Sequence, residues 1–267
     1  MSLIYEKRNA IAYLTLNRPE AHNAMAPETM LELLDAWKDY RDDGDLRCAI
    51  ITGAGDQSFC AGADLGRLIP LFTGAREPEN EAELKIRDNP MISMQAILRD
   101  FDLHKPVVAA VNGNAIAGGM ELLYATDIRV AAERARFGLQ EVKWGVFPMG
   151  GSSVKLPRQL PYARAMEMLL TGELMDAADA LHFGFVNRVV PNDKVMEEAE
   201  RFAAIIAKNG PLAVKAVKQA VTASIGLDLT QGLAKETELA MPVFMSKDAQ
   251  EGPRAFKEKR PPVFKGE

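Results

Sequence analysis

Two glutamates in this sequence keep apolar company: Glu121 in GNAIAGGMEL (113–122) and Glu141 in FGLQEVKWGVFP (137–148), near Phe137, Leu139, Val142, Trp144 and Phe147. A carboxyl group taken out of water has its pKa raised, because desolvation penalises the charged form. Such a group exchanges protons near neutral pH and suits general acid-base work. Both residues also have plainer readings. Glu121 would serve equally as a cap or ion-pair partner at the start of a helix, and Glu141 as a solvated charge or a partner of Lys143 or Arg136. Spacing does not bring the two together, since twenty positions and a predicted strand separate them.

Gly118 and Gly119 stand just before Glu121 and open a predicted helix, where free N–H groups and the positive end of the dipole favour a negative oxygen. FCAGADL (59–65) has the same form. Small residues after a strand let the backbone approach a ligand closely and aim amides at an oxygen atom. The alternative is a tight loop before a helix capped by Asp64. Two such loops after neighbouring strands say more than either alone, because an oxyanion hole needs two donors from separate segments.

Other chemistries find little support. His22, His104 and His182 are scattered, without the spacing of a metal site. No G-x-S-x-G elbow occurs, and Ser152 and Ser153 follow two glycines with no histidine in a recognisable relation to them. The glycines match neither a P-loop nor a dinucleotide fingerprint. Cys60 reads as a small buried thiol rather than a nucleophile.

The elements that must position these residues follow from hydrophobic periodicity. Residues 4–16 read as two short strands around Arg8 to Ala10, and 27–40 as an amphipathic helix with Pro27 in its first turn. CAIIT (48–52), PVVAAVN (106–112), DIRVA (127–131) and FVNRVV (185–190) read as strands, with a helix over 118–125. Strand, helix, strand in that order predicts a parallel α/β layer. Residues 66–90 read as a loop or short helices. After Pro191 the pattern turns helical, broken by Gly210-Pro211, and Pro253 is expected to bend or restart its helix.

At 267 residues with 48% apolar residues, the chain can bury a large core. A net charge of -5 gives no global field of the kind that draws a protein onto nucleic acid. Its longest apolar runs, such as VVAAV (107–111), fall far short of the ~20 residues that span a bilayer, so no membrane association is expected. Two cysteines suit a reducing compartment, and the opening residues resemble neither a secretory signal nor a transit peptide. A cytoplasmic protein is the expectation.

Taken together, LTLNRPEAHNAM (14–25), FCAGADL (59–65), KPVVAAVNGNAIAGGMEL (105–122), DIRVAAERARFGLQEVKWGVFP (127–148) and EGPRAFKEKRPPVFKG (251–266) resemble the crotonase superfamily, the enoyl-CoA hydratase and isomerase group. The likeness runs almost end to end with the motifs in order. It implies an α/β fold: a crotonase spiral of ββα units over residues 1–191, then a helical C-terminal region, 192–267, that packs in trimers, often paired into hexamers. By the same resemblance the Ala63 and Gly118 amides match the oxyanion hole, and Ala61, Asp64, Leu65 and Gly66 match the loop lining the CoA thioester site. Glu121 and Glu141 match the acidic pair of the hydratases. Glu121 would help activate water for attack at Cβ, and Glu141 would exchange a proton with water and Cα.

The implied reaction is reversible syn addition of water to an enoyl-CoA, with coenzyme A entering as part of the substrate and no separate cofactor or metal. Isomerisation, or another reaction on an unusual acyl-CoA, is the alternative on the same site, because one fold hosts many chemistries. A paired glutamate favours hydration. A non-catalytic or RNA-binding relative is a further reading, opposed by the intact glutamates and the lack of a basic stripe. Lys257, Lys259, Arg260 and Lys265 would either hold CoA phosphates, across a subunit boundary, or form a solvated tail. Met120, Gly66 and the length of 66–105 depart from the family pattern around the acyl pocket and leave the acyl group open.

Overall fold

The computed structural model describes all 267 residues, Met1–Glu267. Strands β1 (Leu3–Arg8) and β2 (Ile11–Leu16) form an antiparallel hairpin whose register pairs Leu3 with Leu16 and Arg8 with Ile11. Helix α1 (Pro27–Asp42) follows, with Pro27 as its first residue, where the missing N–H has no intrahelical partner to lose. Then β3 (Cys48–Gly53) leads to β4 (Ser58–Cys60). The stretch read as loop or short helices contains α2 (Ile69–Thr73) and α3 (Glu81–Asp88), and α4 (Met91–Ala96) follows. Next come β5 (Val107–Val111), β6 (Asn114–Ile116) and α5 (Gly118–Leu123), and then β7 (Ile128–Ala132) and β8 (Arg136–Gly138). The chain continues through α6 (Ser152–Lys155), α7 (Tyr162–Thr171), β9 (Met175–Asp176), α8 (Ala177–His182) and β10 (Arg188–Val190).

Each of the pairs β3–β4, β5–β6 and β7–β8 splits between two sheets. The first members lie in a six-stranded sheet ordered β1-β2-β3-β5-β7-β10, and the second in a four-stranded sheet ordered β4-β6-β8-β9. From β2 to β10 the large sheet is parallel, as the strand-helix-strand order predicts. Each pair advances one strand along both sheets, which winds the units into the expected spiral.

β3 and β5 are buried along their whole length, the pattern of parallel strands covered on both faces. On one side α1 packs through Trp37 and Tyr40, whose ring N–H and hydroxyl donate to Ala96 O at 3.0 Å and Pro106 O at 2.7 Å. α9 (Val195–Lys208) lies across β3, β5 and β7 and buries Val195, Ala199 and Ala203. Arg67 and Arg76 fasten α3 to the body through buried Glu83, whose carboxyl these guanidiniums, Arg76 foremost, hold down to about 2.

Gly210 and Pro211 separate α9 from α10 (Pro211–Ser224), which packs on α11 (Leu229–Phe244); neither α10 nor α11 has a buried residue. α12 (Lys247–Lys257) runs through Pro253 without restarting, and α11 likewise contains Pro242. The basic end is not a free tail. Asp248 accepts from Lys265 N and Gly266 N, each at 2.8 Å, and Glu251 accepts from Val263 N at 3.0 Å. Arg47 donates to Ala207 O at 3.0 Å and Phe264 O at 2.6 Å, so one half-buried guanidinium ties α9 to the last residues. Arg260 is occupied by Glu251 and Glu258.

Candidate active site

The loop of residues 61–64 is set by the chain before α1. Met25 N donates to Gly62 O at 2.7 Å and Asp64 N to Met25 O at 2.9 Å, a single parallel bridge, while Ala61 N donates to His22 O at 3.0 Å. Gly62 has φ +96, and a methyl group there would lie 2.8 Å from Ala117 Cβ and 3.0 Å from Gly118 N. A methyl group on Gly118 would lie 3.6 Å from Ala63 N, so the Ala63 and Gly118 amides adjoin. Both residues are half-buried, and neither N–H donates to another part of the chain. α5 has only six residues, so its dipole is small and the free N–H groups are what an anion would meet. Ala117 turns β6 directly into α5 at φ 52 and ψ -126, a conformation alanine adopts only under strain.

Asp64 sits in the tight loop of the plainer reading but caps no helix, since α2 begins at Ile69 behind a four-residue turn. Its Oδ1 accepts from Gly66 N at 3.1 Å and Arg67 N at 3.2 Å, and its Oδ2 from Arg18 Nη1 at 2.9 Å. The carboxylate therefore closes the loop. Leu65 beside it stands 68% exposed, an apolar side chain left open at the rim.

Glu121 lies one turn into α5, its N–H donating to Ala117 O at 3.0 Å, and is buried. Burial raises its pKa, opposed in part by the Ser152 hydroxyl, by the backbone amides of Gly150 and Ser152, and by the positive charge of Arg99. Glu141 opens a 3-10 turn, Glu141–Trp144. Burial pushes it up to about 7, and the Glu121 carboxylate adds to the rise, so the fold brings the two within electrostatic reach. Glu141 Oε2 is shielded from solvent and has no hydrogen-bond partner. Neither glutamate forms an ion pair; Lys143, the partner considered for Glu141, binds Glu173 at 3.2 Å. Phe137 and Leu139 are buried as expected, whereas Trp144 and Phe147 stand 74% and 67% exposed.

A family model described as enoyl-CoA hydratase/isomerase matches residues 6–267. The chain belongs to the enoyl-CoA hydratase/isomerase family. Enoyl-CoA hydratase EchA19 of Mycobacterium tuberculosis is 42% identical over 98% of this chain and 95% of its own. (E)-benzylidenesuccinyl-CoA hydratase of Thauera aromatica is 39% identical over the full length of both. The crystal structure of an enoyl-CoA hydratase from Bacillus anthracis superimposes with a TM-score of 0.89 at 35% identity, covering 100% of each chain. The fold is thus that of the crotonases, and the protein is an enzyme of a family that acts on acyl-CoA thioesters.

Several residues of this family member escaped the sequence reading. Ser152 is fully buried and donates its hydroxyl hydrogen to Glu121 Oε1 at 2.8 Å; Tyr124 in turn donates to Ser152 Oγ at 3.3 Å. Gly150 packs on the same carboxylate, where a methyl group would come 2.2 Å from Glu121 Oε2. The signal was the pair of glycines before Ser152, weighed only as part of a nucleophile elbow. Met120, expected beside the acyl pocket, has no exposed surface and belongs to the main core. It offers no face to an acyl group. Burial raises the Cys60 thiol to about 12, which leaves it protonated and inert.

Proposed function

We propose that this enzyme is an enoyl-CoA hydratase, with Ala63 and Gly118 as the oxyanion donors and Glu121 and Glu141 as the proton-transfer pair. The observation that carries the reading is the inequivalence of the two carboxylates. Glu121 is supplied with donors that favour its ionised form, whereas Glu141 has an oxygen with no partner and a pKa near 7. Neighbouring carboxylates resist double ionisation, so below about pH 7 the pair retains a proton, and the donors around Glu121 favour Glu141 as its holder.

Hydration then balances. The thioester oxygen of the enoyl substrate accepts from the two free amides. Water yields a proton to Glu121 as its oxygen bonds to Cβ, and the double-bond electrons move onto the thioester oxygen, where the amides stabilise the charge. The carbonyl re-forms as Cα takes the proton of Glu141. Return of a proton from Glu121 to Glu141 through water resets the site. Ala61, Asp64, Leu65 and Gly66 would line the thioester arm, Asp64 by shaping the loop. Lys257, Lys259 and Lys265, which have no carboxylate partner, would be available to CoA phosphates.

Purified protein should hydrate members of a panel of enoyl-CoA thioesters to 3-hydroxyacyl-CoA. Glu121→Gln and Glu141→Gln should each lower kcat by about 10²-fold to 10⁴-fold, the range of general acid-base groups. Near-normal turnover in both variants would defeat the two-glutamate mechanism, and a shifted double bond as the only product would favour isomerisation.

The exposed apolar faces of α10 and α11 support a homotrimer, alone or paired into hexamers. Two free, buried cysteines suit a cytoplasmic setting.

A further inference from the structure

We propose that Ser152 is the positioning residue that decides which of the two glutamates ionises, by holding the Glu121 carboxylate with a hydroxyl whose direction is set by Tyr124. This rests on the hydratase reading of Glu121. Ser152 Oγ has a single hydrogen. Tyr124 keeps its own proton, because burial raises the phenol well above its ordinary range, and it is placed to donate into Ser152 Oγ at 3.3 Å. The serine hydrogen is then committed to Glu121 Oε1, at 2.8 Å. Both side chains are buried, with Ser152 at 0% and Tyr124 at 5% exposed, so water does not compete for these positions.

The donor is specific to one carboxylate. A hydrogen bond to the ionised form lowers a pKa, and here it acts on Glu121 while Glu141 Oε2 goes without any partner. The other charged groups facing Glu121 do not make this distinction by contact. Arg99 favours its charge from a distance, Glu141 opposes it, and Lys155 on α6 turns its ammonium to Leu98 O at 3.4 Å and Arg99 O at 3.2 Å. The backbone amides of Gly150 and Ser152 complete the set. Ser152 begins α6 and Tyr124 follows α5, so this one hydroxyl also fixes the carboxylate in the angle between the two helices.

The test is the titration of Glu121 itself, followed by NMR of protein carrying 13C-labelled glutamate carboxyls, without substrate and with Glu121→Gln supplying the assignment. Ser152→Ala should raise the apparent pKa of Glu121 by about one unit, the direction expected when a donor to the charged form is lost. Tyr124→Phe, a milder change, should move it the same way by less. In turnover, Ser152→Ala should lower kcat by about 10²-fold, as for a misplaced catalytic group, with KM changed less than about threefold and the acidic limb of the pH profile moved upward. Ser152→Thr, which retains the hydroxyl, should restore that limb. A Glu121 titration unchanged in both Ser152→Ala and Tyr124→Phe would overturn the positioning role, whatever happens to turnover. A shifted titration in a protein that hydrates no enoyl-CoA would uphold it and defeat only the hydratase reading.

Discussion

In the proposed mechanism Glu141 links catalysis to stability through one proton. Its pKa in the folded protein is about 7 against an ordinary 4.5, so the native state holds the proton more tightly than the unfolded chain does. A group raised in this sense leaves stability highest below its unfolded value and drains it as pH climbs from about 4.5 to about 7, where the native carboxyl must ionise in a desolvated site. Glu141→Gln, which cannot ionise, should therefore melt at a temperature that rises relative to wild type between pH 4.5 and pH 8, although it is less active. Thermal unfolding of both proteins across that range measures it. A difference that stays constant with pH would mean that Glu141 is not desolvated in the folded enzyme. The same residue shows what the sequence could and could not convey. Phe137 and Leu139 announced an apolar setting, but the orphaned oxygen and the approach of Glu121, twenty positions away in the chain, are set by the tertiary fold, which no local pattern encodes.

At the scale of elements, the long apolar runs were legible and the short ones were not. β3, β5 and α1 declare themselves by continuous or helically spaced burial, whereas β4, β6 and β8 have three residues each, too few for a period to appear. Yet those short strands carry the site, because β4 leads to the Ala63 loop and β6 to Gly118. The bond from Ser152 to Glu121 spans 31 positions, and the bridge from Met25 to Ala63 is also long-range. Only the fold could reveal them. The junction of the two loops is testable at Gly62. An alanine there would adopt φ +96 at a cost of roughly 1–3 kcal/mol and press its methyl group against Ala117 and Gly118 N. Gly62→Ala should thus displace an amide proposed to face the thioester oxygen. We expect kcat to fall about 10²-fold to 10³-fold, the loss usual for one oxyanion donor, in a protein whose far-ultraviolet spectrum is unchanged. Full turnover in that variant would show that the contact between the loops does not set the donors.

The whole molecule has an asymmetry that a single chain does not resolve. The spiral buries its sheets well, and α9 closes it, but α10 and α11 end up with Val217, Val221, Leu229, Leu233 and Phe244 all more than half exposed. Between them runs a concavity of about 910 Å³ whose lining is mostly apolar. Burying a Val, Leu or Phe side chain is worth about 1.5–3 kcal/mol, so five such residues on one face are a substantial incentive to associate. The sequence marked this region as helical by its spacing. It could not reveal that the apolar stripe faces outward, because a stripe turned to a core and a stripe turned to a neighbour look alike. In the proposed trimer these side chains meet other copies of the chain. Val221→Glu would then place an unpaired charge in a desolvated contact, and it should shift the sedimentation profile at micromolar concentration from trimer or hexamer towards monomer. The isolated fold should survive, since Val221 is 63% exposed in the monomer and contributes little to its core. A wild-type protein that sediments as a monomer would defeat the assembly outright, and an unshifted Val221→Glu oligomer would move the contact off this face.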